Sequence, residues 1–364
     1  MVYLMLISSV VLLTGCREAT RLAAGGYTET GENGISVYDF NSADGALKLL
    51  SKSDAGPNPS YFCISEKNKV IYSVNEVSDF KGTKWGGLTS LKYERNFENL
   101  RKVHEMPVPD GGPCFISLTR DNDFLLVANY GGGSVAVVKL DKKGIPEKVS
   151  DTISYYGIEK KVARAHMIAS DPAGRRIYVS DLGLDRIMIY TLDKTSGKLI
   201  PFKSEGISLS PGTGPRHFVF NKSGSKMYVI GELSSTVSVY NVDKEEGLIL
   251  SQTISTRKEG NSEINYCADI HIGKTGLFLY GSNRGENSIV TYRIENDGML
   301  SLAGHTDCQG SWPRNFIIDP SGKYILVANQ KSGNISVLRI NKETGIPAEI
   351  KQQISHPAPS CLKF

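Results

Sequence analysis

Four ionisable side chains in the middle of the chain are of the types that move protons and stabilise anions. They are His166, Arg216, Glu232 and Arg284. An imidazole or a carboxylate can take a proton from a water molecule as the water attacks a carbonyl group. A guanidinium group can stabilise the resulting oxyanion, or hold a carboxylate or phosphate of the substrate. Because the four residues are far apart in the sequence, this chemistry requires a fold that brings them together.

An internal repeat with a period of about 50 residues indicates such a fold. Its clearest copy runs from Pro215 to Tyr240, where three short runs rich in β-branched and aromatic residues are separated by turns. Similar strand openings recur at Pro59, Pro113, Ala165, Pro215, Cys267, Pro313 and Pro359. Each complete copy continues with a second and a third strand, and then a glycine turn that leads to an outer strand. This pattern predicts one four-stranded propeller blade per repeat.

The two ends of the chain complete one blade between them. The last opening, at Pro359, is followed only by residues up to Phe364, whereas Ala23 to Leu50 supplies the missing later strands. The sequence therefore predicts an all-β protein, a seven-bladed β-propeller with four-stranded blades. The ring is expected to close by pairing the C-terminal strand with the N-terminal strands, which removes exposed edges. The propeller is predicted to be a single domain over residues 22–364.

Aligning the repeats places the ionisable residues at one mouth of the central channel. The first residue after each opening forms a first ring, which comprises Ser60, Cys114, His166, Arg216, Ala268, Arg314 and Ser360. The ends of the second strands form a second ring, with Tyr130, Leu182, Glu232, Arg284 and Gln330, and with Glu76 in the blade that carries an insertion. Charges near the axis are costly unless they are paired or reach water, so we predict a polar pocket at this mouth. Its candidate catalytic residues are His166, Arg216, Glu232 and Arg284, and its candidate substrate-binding residues are Glu76, His217 and Arg314.

Each of these residues has a simpler explanation when it is taken alone. An arginine at a strand end is usually a surface charge, and Glu232 with Arg284 could be an ion pair between adjacent blades. A structural role is more plausible for His217 than for the others. Its side chain points to the opposite face of the strand from that of Arg216 and can bind a loop carbonyl. The convergence of four ionisable residues from successive blades is what favours a functional site.

Composition and charge argue against several other classes of protein. The chain has 364 residues, of which 40% are hydrophobic and 22% charged, with a net charge of +4. These values are typical of globular domains, and without a basic stripe no nucleic-acid partner is expected. The sequence has no CxxC or HxxxH spacing, so we expect neither a metal site nor a cofactor. Small apolar packing, and not disulfide formation, is expected for Cys63, Cys114, Cys267, Cys308 and Cys361.

Residues 1–16 predict an export signal that is separate from the domain. The apolar run from Val2 to Leu13 is too short to span a bilayer as a helix and has the length of a signal core. It leads to the sequence Leu13-Thr14-Gly15-Cys16, which resembles a lipoprotein signal, although no lysine or arginine precedes the run. We expect a monomer in the cell envelope whose membrane contact is a lipid on Cys16. A cytoplasmic protein is the alternative if this segment is not a functional signal.

Four segments together resemble a known family. They are AHMIASDPAGRRIYVSDLGLDRIMIY (165–190), GPRHFVFNKSGSKMYVIGELSSTVSVY (214–240), YGSNRGENSIVTY (280–292) and WPRNFIIDPSGKYILVANQKSGNISVL (312–338). They resemble the seven-bladed propeller lactonases, which include bacterial 6-phosphogluconolactonases of the propeller type and the fungal carboxymuconate lactonizing enzyme. In that family the equivalents of His166, Arg216, Glu232 and Arg284 line the active site.

The resemblance implies a lactonase that hydrolyses a small-molecule sugar lactone, 6-phosphogluconolactone or a related aldonolactone. Glu232 or His166 would activate the water, while Arg216 and Arg284 would bind the oxyanion and the anionic group of the substrate. Two alternatives stay open. One is a muconate-type lactonizing lyase or cycloisomerase, for which Arg314 would supply a further cation. The other is a propeller that binds a ligand without turning it over, since propellers have many functions.

Overall fold

A computed structural model of the protein describes residues 20–28, 34–158, 161–202 and 206–364. The signal-like segment predicted for residues 1–16, including Cys16, lies outside these ranges. Within them the structure contains 29 β-strands and a short 3-10 turn at Arg95–Phe97. The described part of the chain has no helix with the length and apolar character of a membrane span.

The strands form seven separate sheets, which we number as blades in chain order. Blade 1 contains β1 (Thr20–Gly26), β2 (Ile35–Asn41) and β3 (Ala46–Ser53), and blade 2 contains β4 (Phe62–Ser65), β5 (Val70–Asn75), β6 (Gly86–Lys92) and β7 (Arg101–Val108). Blade 3 contains β8 (Pro113–Leu118), β9 (Phe124–Asn129), β10 (Ser134–Leu140) and β11 (Pro146–Ser154). Blade 4 contains β12 (Ala165–Ser170), β13 (Ile177–Asp181), β14 (Arg186–Asp193), β15 (Lys198–Pro201) and β16 (Ile207–Ser208).

The remaining strands complete the ring. Blade 5 contains β17 (Pro215–Phe220), β18 (Lys226–Gly231), β19 (Thr236–Asp243) and β20 (Gly247–Ser255), and blade 6 contains β21 (Tyr266–Ile272), β22 (Phe278–Arg284), β23 (Ser288–Ile294) and β24 (Leu300–Asp307). Blade 7 contains β25 (Pro313–Ile318), β26 (Tyr324–Asn329), β27 (Asn334–Ile340) and β28 (Pro347–Ser355), and β29 (Pro359–Lys363) is the last strand of the chain. The prediction of a seven-bladed, all-β propeller is confirmed. Blade 4 differs in detail, because its outer strand is split into β15 and β16, which both pair with β14.

The last strand closes the ring by pairing with the first. β29 is antiparallel to β1, with Ala23 opposite Lys363 and Gly25 opposite Cys361, and blade 1 has the strand order β29-β1-β2-β3. The innermost strands of the seven blades are β4, β8, β12, β17, β21, β25 and β29, and they contact one another around the central channel. Their first residues therefore share one mouth, as the repeat alignment predicts.

The apolar core lies between neighbouring blades, on both faces of each sheet. This explains why second strands such as β9 and β26, with the sequences FLLVAN and YILVAN, are hydrophobic throughout and buried at every residue. The outer strands have one exposed face, and β20 alternates between half-buried and exposed residues towards its end. Both faces of the inner strands are covered, so polar side chains at their openings can point only into the channel or its mouth.

Candidate active site

A β-bulge at the opening of the innermost strands aims the first-ring residues into the mouth. In β12 the pairing passes from Ala165 to Met167, and His166 has no partner across the sheet. The same irregularity leaves Arg216 unpaired in β17, Arg314 in β25 and Cys114 in β8. A bulged residue is turned out of the regular alternation of the strand. The backbone thus presents these side chains at equivalent places around the axis.

A repeated backbone hydrogen bond fixes the second ring. The amide groups at the ends of second strands donate to the carbonyl just before an inner-strand opening, in the pairs Glu76–Asn58 (3.0 Å), Tyr130–Gly112 (2.9 Å), Leu182–Arg164 (2.9 Å), Glu232–Gly214 (2.8 Å) and Gln330–Trp312 (3.0 Å). Tyr27 makes the same bond to Ala358 at 3.1 Å. Tyr27 is therefore the ring member that the sequence alignment missed. The connection from β1 to β2 is longer than the corresponding connection in the blades used for the alignment. The fixed count back from the end of β2 therefore stops short of Tyr27.

Glu232 joins the two arginines of blades 5 and 6. Its Oε2 lies 3.0 Å from Arg216 Nε, an ion-pair contact without hydrogen-bond alignment, and 2.7 Å from Arg284 Nη2. The two arginine side chains are only 3% and 5% exposed, whereas that of Glu232 is 16% exposed. Backbone carbonyls hold the guanidinium groups from behind, Ala268 for Arg216, and Tyr266 and Cys267 for Arg284. Burial and the neighbouring Arg216 lower the pKa of Arg284 to about 10, so this group is a cation at neutral pH. Burial also lowers the pKa of Arg216, and the charge of Glu232 opposes that shift.

His166 lies beside this cluster as a neutral imidazole. The side chain is buried, and its Nδ1 is 3.9 Å from Cys114 Sγ. Its ring packs edge-to-face on those of Tyr130 and His217, with centroid separations of 5.5 and 5.2 Å. Burial, and then the positive charge of Arg216, hold the pKa of His166 well below the usual range. An uncharged imidazole has one ring nitrogen free to accept a proton, and the neighbouring guanidinium charges favour its prompt release.

A second polar group lies in the same mouth, contributed by blades 1, 2 and 7. Tyr27 donates its hydroxyl hydrogen to Glu76 Oε2 over 2.7 Å and accepts a hydrogen bond of 2.7 Å from Arg314 Nη2. Ser60 Oγ also donates to Glu76 Oε2. Although burial lowers the pKa of Arg314, Tyr27 and Glu76 raise it above its usual value. The structure thus brings Glu76 and Arg314 together, as the alignment predicts, but through Tyr27.

His217 lies beside His166, with a ring-centroid separation of 5.2 Å. The loop carbonyl that the sequence suggests as its partner is not the one observed, so that expectation is wrong. Instead, His217 Nδ1 is 2.7 Å from Oδ1 of Asp269, a buried carboxylate of the next blade. Its Nε2 is buried and has no hydrogen-bond partner among the described residues. Burial and the charge of Arg216 lower the pKa of His217 to about 4, so this ring is also neutral.

The sequence prediction did not include Asp269, although this residue occupies the same place in its repeat as His217 and Asn315 do in theirs. The pairing of β21 passes from Cys267 to Ile270, and the Asp269 amide donates to Ser282 Oγ at 3.0 Å. Ala268 then occupies the first-ring place, and Asp269 enters the channel below it. Burial raises the pKa of Asp269, but the nearby His271 and the hydrogen bond with His217 hold it well below the usual range.

The described residues contain no cluster of three or more histidine, cysteine, aspartate or glutamate side chains that could hold a metal ion. The five cysteines in this part of the chain are free, and four of them are buried. The polar groups of the mouth are thus the arginines, the carboxylates, the neutral imidazoles and the hydroxyl groups.

Together, the fold and the mouth define a class of protein, a seven-bladed propeller with a carboxylate shared by two arginines at one end of its channel. The description "Lactonase, 7-bladed beta-propeller" matches residues 21–364, and the chain belongs to this family. A 6-phosphogluconolactonase of Formosa agariphila is 34% identical over 340 residues, which cover 91% of this chain and 95% of that protein. A 6-phosphogluconolactonase of Bacillus subtilis is 27% identical, over 93% of this chain and 97% of its own length.

Solved structures agree with the family assignment. The periplasmic gluconolactonase of Pseudomonas aeruginosa superposes with a TM-score of 0.89 and 29% identity, over 95% of this chain and 99% of that one. A putative 6-phosphogluconolactonase of Bacteroides uniformis gives a TM-score of 0.86 and 30% identity, over 96% of this chain and 100% of that one.

Proposed function

We propose that the protein hydrolyses a sugar lactone, such as 6-phosphogluconolactone or a related aldonolactone, at this mouth. The observation that carries the proposal is the contact of Glu232 with both Arg216 and Arg284 beside the neutral His166. This arrangement holds two positive charges in fixed positions and keeps a proton acceptor next to them. The family and the names of the relatives support the same class of reaction.

In the proposed mechanism, His166 is the base. Its Nδ1 faces Cys114 Sγ, which leaves Nε2 to accept a proton from the attacking water. The water oxygen bonds to the carbonyl carbon, and the guanidinium groups of Arg216 and Arg284 stabilise the oxyanion. The bond from that carbon to the ring oxygen then breaks, and the proton held by His166 passes to the ring oxygen. The product is an open-chain hydroxy acid.

Glu232 has a positioning role in this mechanism. Its Oε2 contacts both guanidinium groups, so it orients the arginines and balances their charge. The arginines in turn point their remaining N–H groups at the substrate. We therefore assign proton transfer to His166 and not to Glu232.

Alanine substitutions of the two arginines test the proposal. Losing one oxyanion donor costs about 3 to 4 kcal/mol, so Arg216→Ala and Arg284→Ala should each lower kcat several hundredfold or more. The measurement is lactone hydrolysis above the spontaneous rate, with gluconolactone and its 6-phosphate as substrates. Arg293→Ala, which removes an exposed arginine from β23, is the matched control and should retain full activity. Near-normal rates in both mouth variants would rule out this mechanism.

The lyase alternative gains no specific support. It needs Arg314 as an additional cation for a di- or tricarboxylate, but Arg314 donates to Tyr27, which is bonded to Glu76. An assay with carboxymuconate alongside the lactones distinguishes the two reactions. A ligand-binding propeller without catalytic activity would hydrolyse none of these compounds at any pH.

We also propose that the protein is exported and attached to a membrane by a lipid on Cys16. The signal-like sequence before Cys16 supports this, as does the similarity to a periplasmic gluconolactonase. Cys16→Ser should move the protein from the membrane fraction to the soluble fraction and abolish labelling by palmitate. Cys63→Ser is the control, because Cys63 lies within β4. Equal soluble fractions for wild type and Cys16→Ser would instead favour a cytoplasmic protein.

A further inference from the structure

The second polar group of the mouth is not used by the proposed hydrolysis. It consists of Tyr27, Ser60, Glu76 and Arg314, and we call it the Glu76 subsite. Its members come from blade 1, where the ring closes, and from its neighbours, blades 2 and 7. Ser360 Oγ of β29 donates to the carbonyl of Ser60 at 2.8 Å. Arg314 occupies the same bulged position at the opening of β25 as Arg216 does at the opening of β17, so the subsite and the proposed catalytic cluster share one mouth.

The hydrogen bonds of this subsite run in one direction. Arg314 donates to the Tyr27 hydroxyl, Tyr27 donates to Glu76 Oε2, and Ser60 donates to the same oxygen. Burial keeps Tyr27 a neutral phenol by raising its pKa, so it remains a donor. The side-chain hydrogen bonds of Glu76 within the described residues both use Oε2, and the residue is only partly buried. Oε1 takes part in neither of these hydrogen bonds, and in the proposal that follows it is the atom that meets the ligand.

The Glu76 subsite is suited to binding a hydroxyl group of a ligand. A carboxylate oxygen accepts the hydrogen of a ligand hydroxyl group, and a neighbouring guanidinium group donates a hydrogen bond to the oxygen of that hydroxyl. The hydroxyl group then acts as both a donor and an acceptor. A phosphate dianion has only acceptors to offer Glu76, and it would also meet a like charge there. The charge of Arg314 is already balanced by Glu76 through a single intervening hydroxyl.

We propose that the Glu76 subsite binds hydroxyl groups on the part of the substrate remote from its carbonyl, and that it selects an unphosphorylated polyhydroxy lactone over the 6-phosphate. This inference rests on the proposed lactonase function and specifies its substrate class. Glu76 discriminates by charge, and Tyr27 is a positioning residue that holds the carboxylate in place.

The test compares kcat/KM for glucono-δ-lactone and its 6-phosphate in wild type and in Glu76→Gln. Wild type should prefer the unphosphorylated lactone by at least about tenfold, because a like-charge contact at a partly buried carboxylate costs at least that factor. Glu76→Gln keeps an oxygen acceptor for Tyr27 and Ser60 but removes the charge. It should raise the relative kcat/KM for the 6-phosphate by about tenfold or more. Glu343→Gln, at an exposed residue far from the mouth, is the matched control and should not change the ratio.

A second variant covers the case in which Glu76→Gln does not fold. Tyr27→Phe removes the hydroxyl that links Arg314 to Glu76, and it should raise KM for the unphosphorylated lactone with a smaller change in kcat. An unchanged KM would contradict the assigned role of Tyr27.

The results separate this inference from the proposed function. If wild type hydrolyses the 6-phosphate as well as or better than the free lactone, or if Glu76→Gln leaves the ratio unchanged, the inference is wrong and the lactonase function stands. If wild type hydrolyses neither lactone above the spontaneous rate, the proposed function is wrong. Calorimetry with gluconate and 6-phosphogluconate then tests the binding preference of the Glu76 subsite independently of catalysis. Selective binding of gluconate supports it, whereas preference for 6-phosphogluconate, or no binding of either, overturns it.

Discussion

Asp269 shows how single residues of the channel interior support the mouth. Its carboxylate lies 2.7 Å from His217 Nδ1 and 2.9 Å from His271 Nε2, and it accepts the amide hydrogen of Ile270 at 3.0 Å. Asn315 of blade 7 donates to the same group. A buried charge is costly, but several hydrogen bonds offset the loss of hydration. Asp269 therefore ties blades 5, 6 and 7 together directly below the arginines.

The buried neutral histidines should make stability depend on pH. His217 has a pKa of about 4 in the folded protein, and that of His166 is also depressed, whereas an unfolded histidine titrates near 6.5. Between about pH 6.5 and 4 the unfolded chain thus binds more protons than the folded one. The free energy of unfolding should fall as the pH is lowered through this window, by up to about 1.4 kcal/mol per pH unit for each group.

Urea unfolding at pH 7, 6 and 5 measures this slope. His217→Asn should reduce it, because one depressed group is removed, and a substitution of the exposed Asp297 should leave it unchanged. The ionised Asp269 does not contribute in this range, because its stabilisation is lost only below the usual carboxylate pKa. A stability that stays constant or rises on acidification would contradict the burial of neutral rings.

At the residue scale, the sequence was sufficient to predict which residues share the mouth wherever the repeat is regular. His166, Arg216, Glu232 and Arg284 occupy positions that can be counted from strand to strand, so their shared mouth could be predicted before their contacts were known. Tyr27 could not be found in this way, because a longer connection shifts the count. The hydrogen bond between His217 and Asp269 was also not predicted, because residues one position beyond the strand openings were expected to alternate away from the mouth and were not aligned with one another.

At the scale of the strands, a tyrosine in the second strand joins each of several blades to the next. The hydroxyl groups of Tyr228 and Tyr280 donate to the carbonyls of Gly298 and Gly345, at 3.0 and 2.8 Å. Both glycines have positive φ, at +82° and +73°, in the turns before outer strands. The glycine turns of the repeat are therefore not only places where the chain reverses direction, because they also present a carbonyl to the preceding blade.

Removing one of these hydroxyl groups should destabilise the fold without affecting the mouth. Tyr280→Phe leaves the Gly345 carbonyl without its partner and should lower the free energy of unfolding by about 1 to 2 kcal/mol. Urea unfolding measures the loss, and lactone hydrolysis should be unchanged. Blade 4 offers the control. Among the described residues the Tyr178 hydroxyl bonds no turn of blade 5, and Arg176 donates to the Asp243 carbonyl there instead, at 2.8 Å. Tyr178→Phe should consequently cost much less, and an equal cost would contradict the role given to the turn carbonyl.

The strands themselves were predictable because each copy combines a β-rich run with a turn signal at a similar spacing. The bulges were not, although a proline or alanine stands at the start of most inner strands. A bulge depends on the register of two strands, and the sequence of one strand does not specify that register. The split outer strand of blade 4 also depends on strand pairing, since both β15 and β16 pair with β14. It was therefore not predictable either.

For the molecule as a whole, the closure of the ring connects stability with the mouth. β29 contributes the buried Cys361 and Leu362 to the cores beside blade 1, and its Ser360 supports Ser60 of the Glu76 subsite. The strand also covers the free edge of β1. A propeller without this strand would expose a hydrophobic edge and leave part of the mouth unsupported.

Deleting residues 359–364 should therefore impair both folding and function. Each large apolar side chain that loses its burial costs about 2 kcal/mol, and the unpaired edge of β1 adds to this, so the free energy of unfolding should fall by more than about 3 kcal/mol. Urea unfolding reports the loss, and size-exclusion chromatography reports association through the exposed edge. A chain that begins at Arg17 is the matched control, because it shortens the other end and leaves β1 intact. If the deletion variant unfolds at the same urea concentration as this control and stays active, the ring does not depend on β29 for its closure, and the support that Ser360 gives to Ser60 is dispensable.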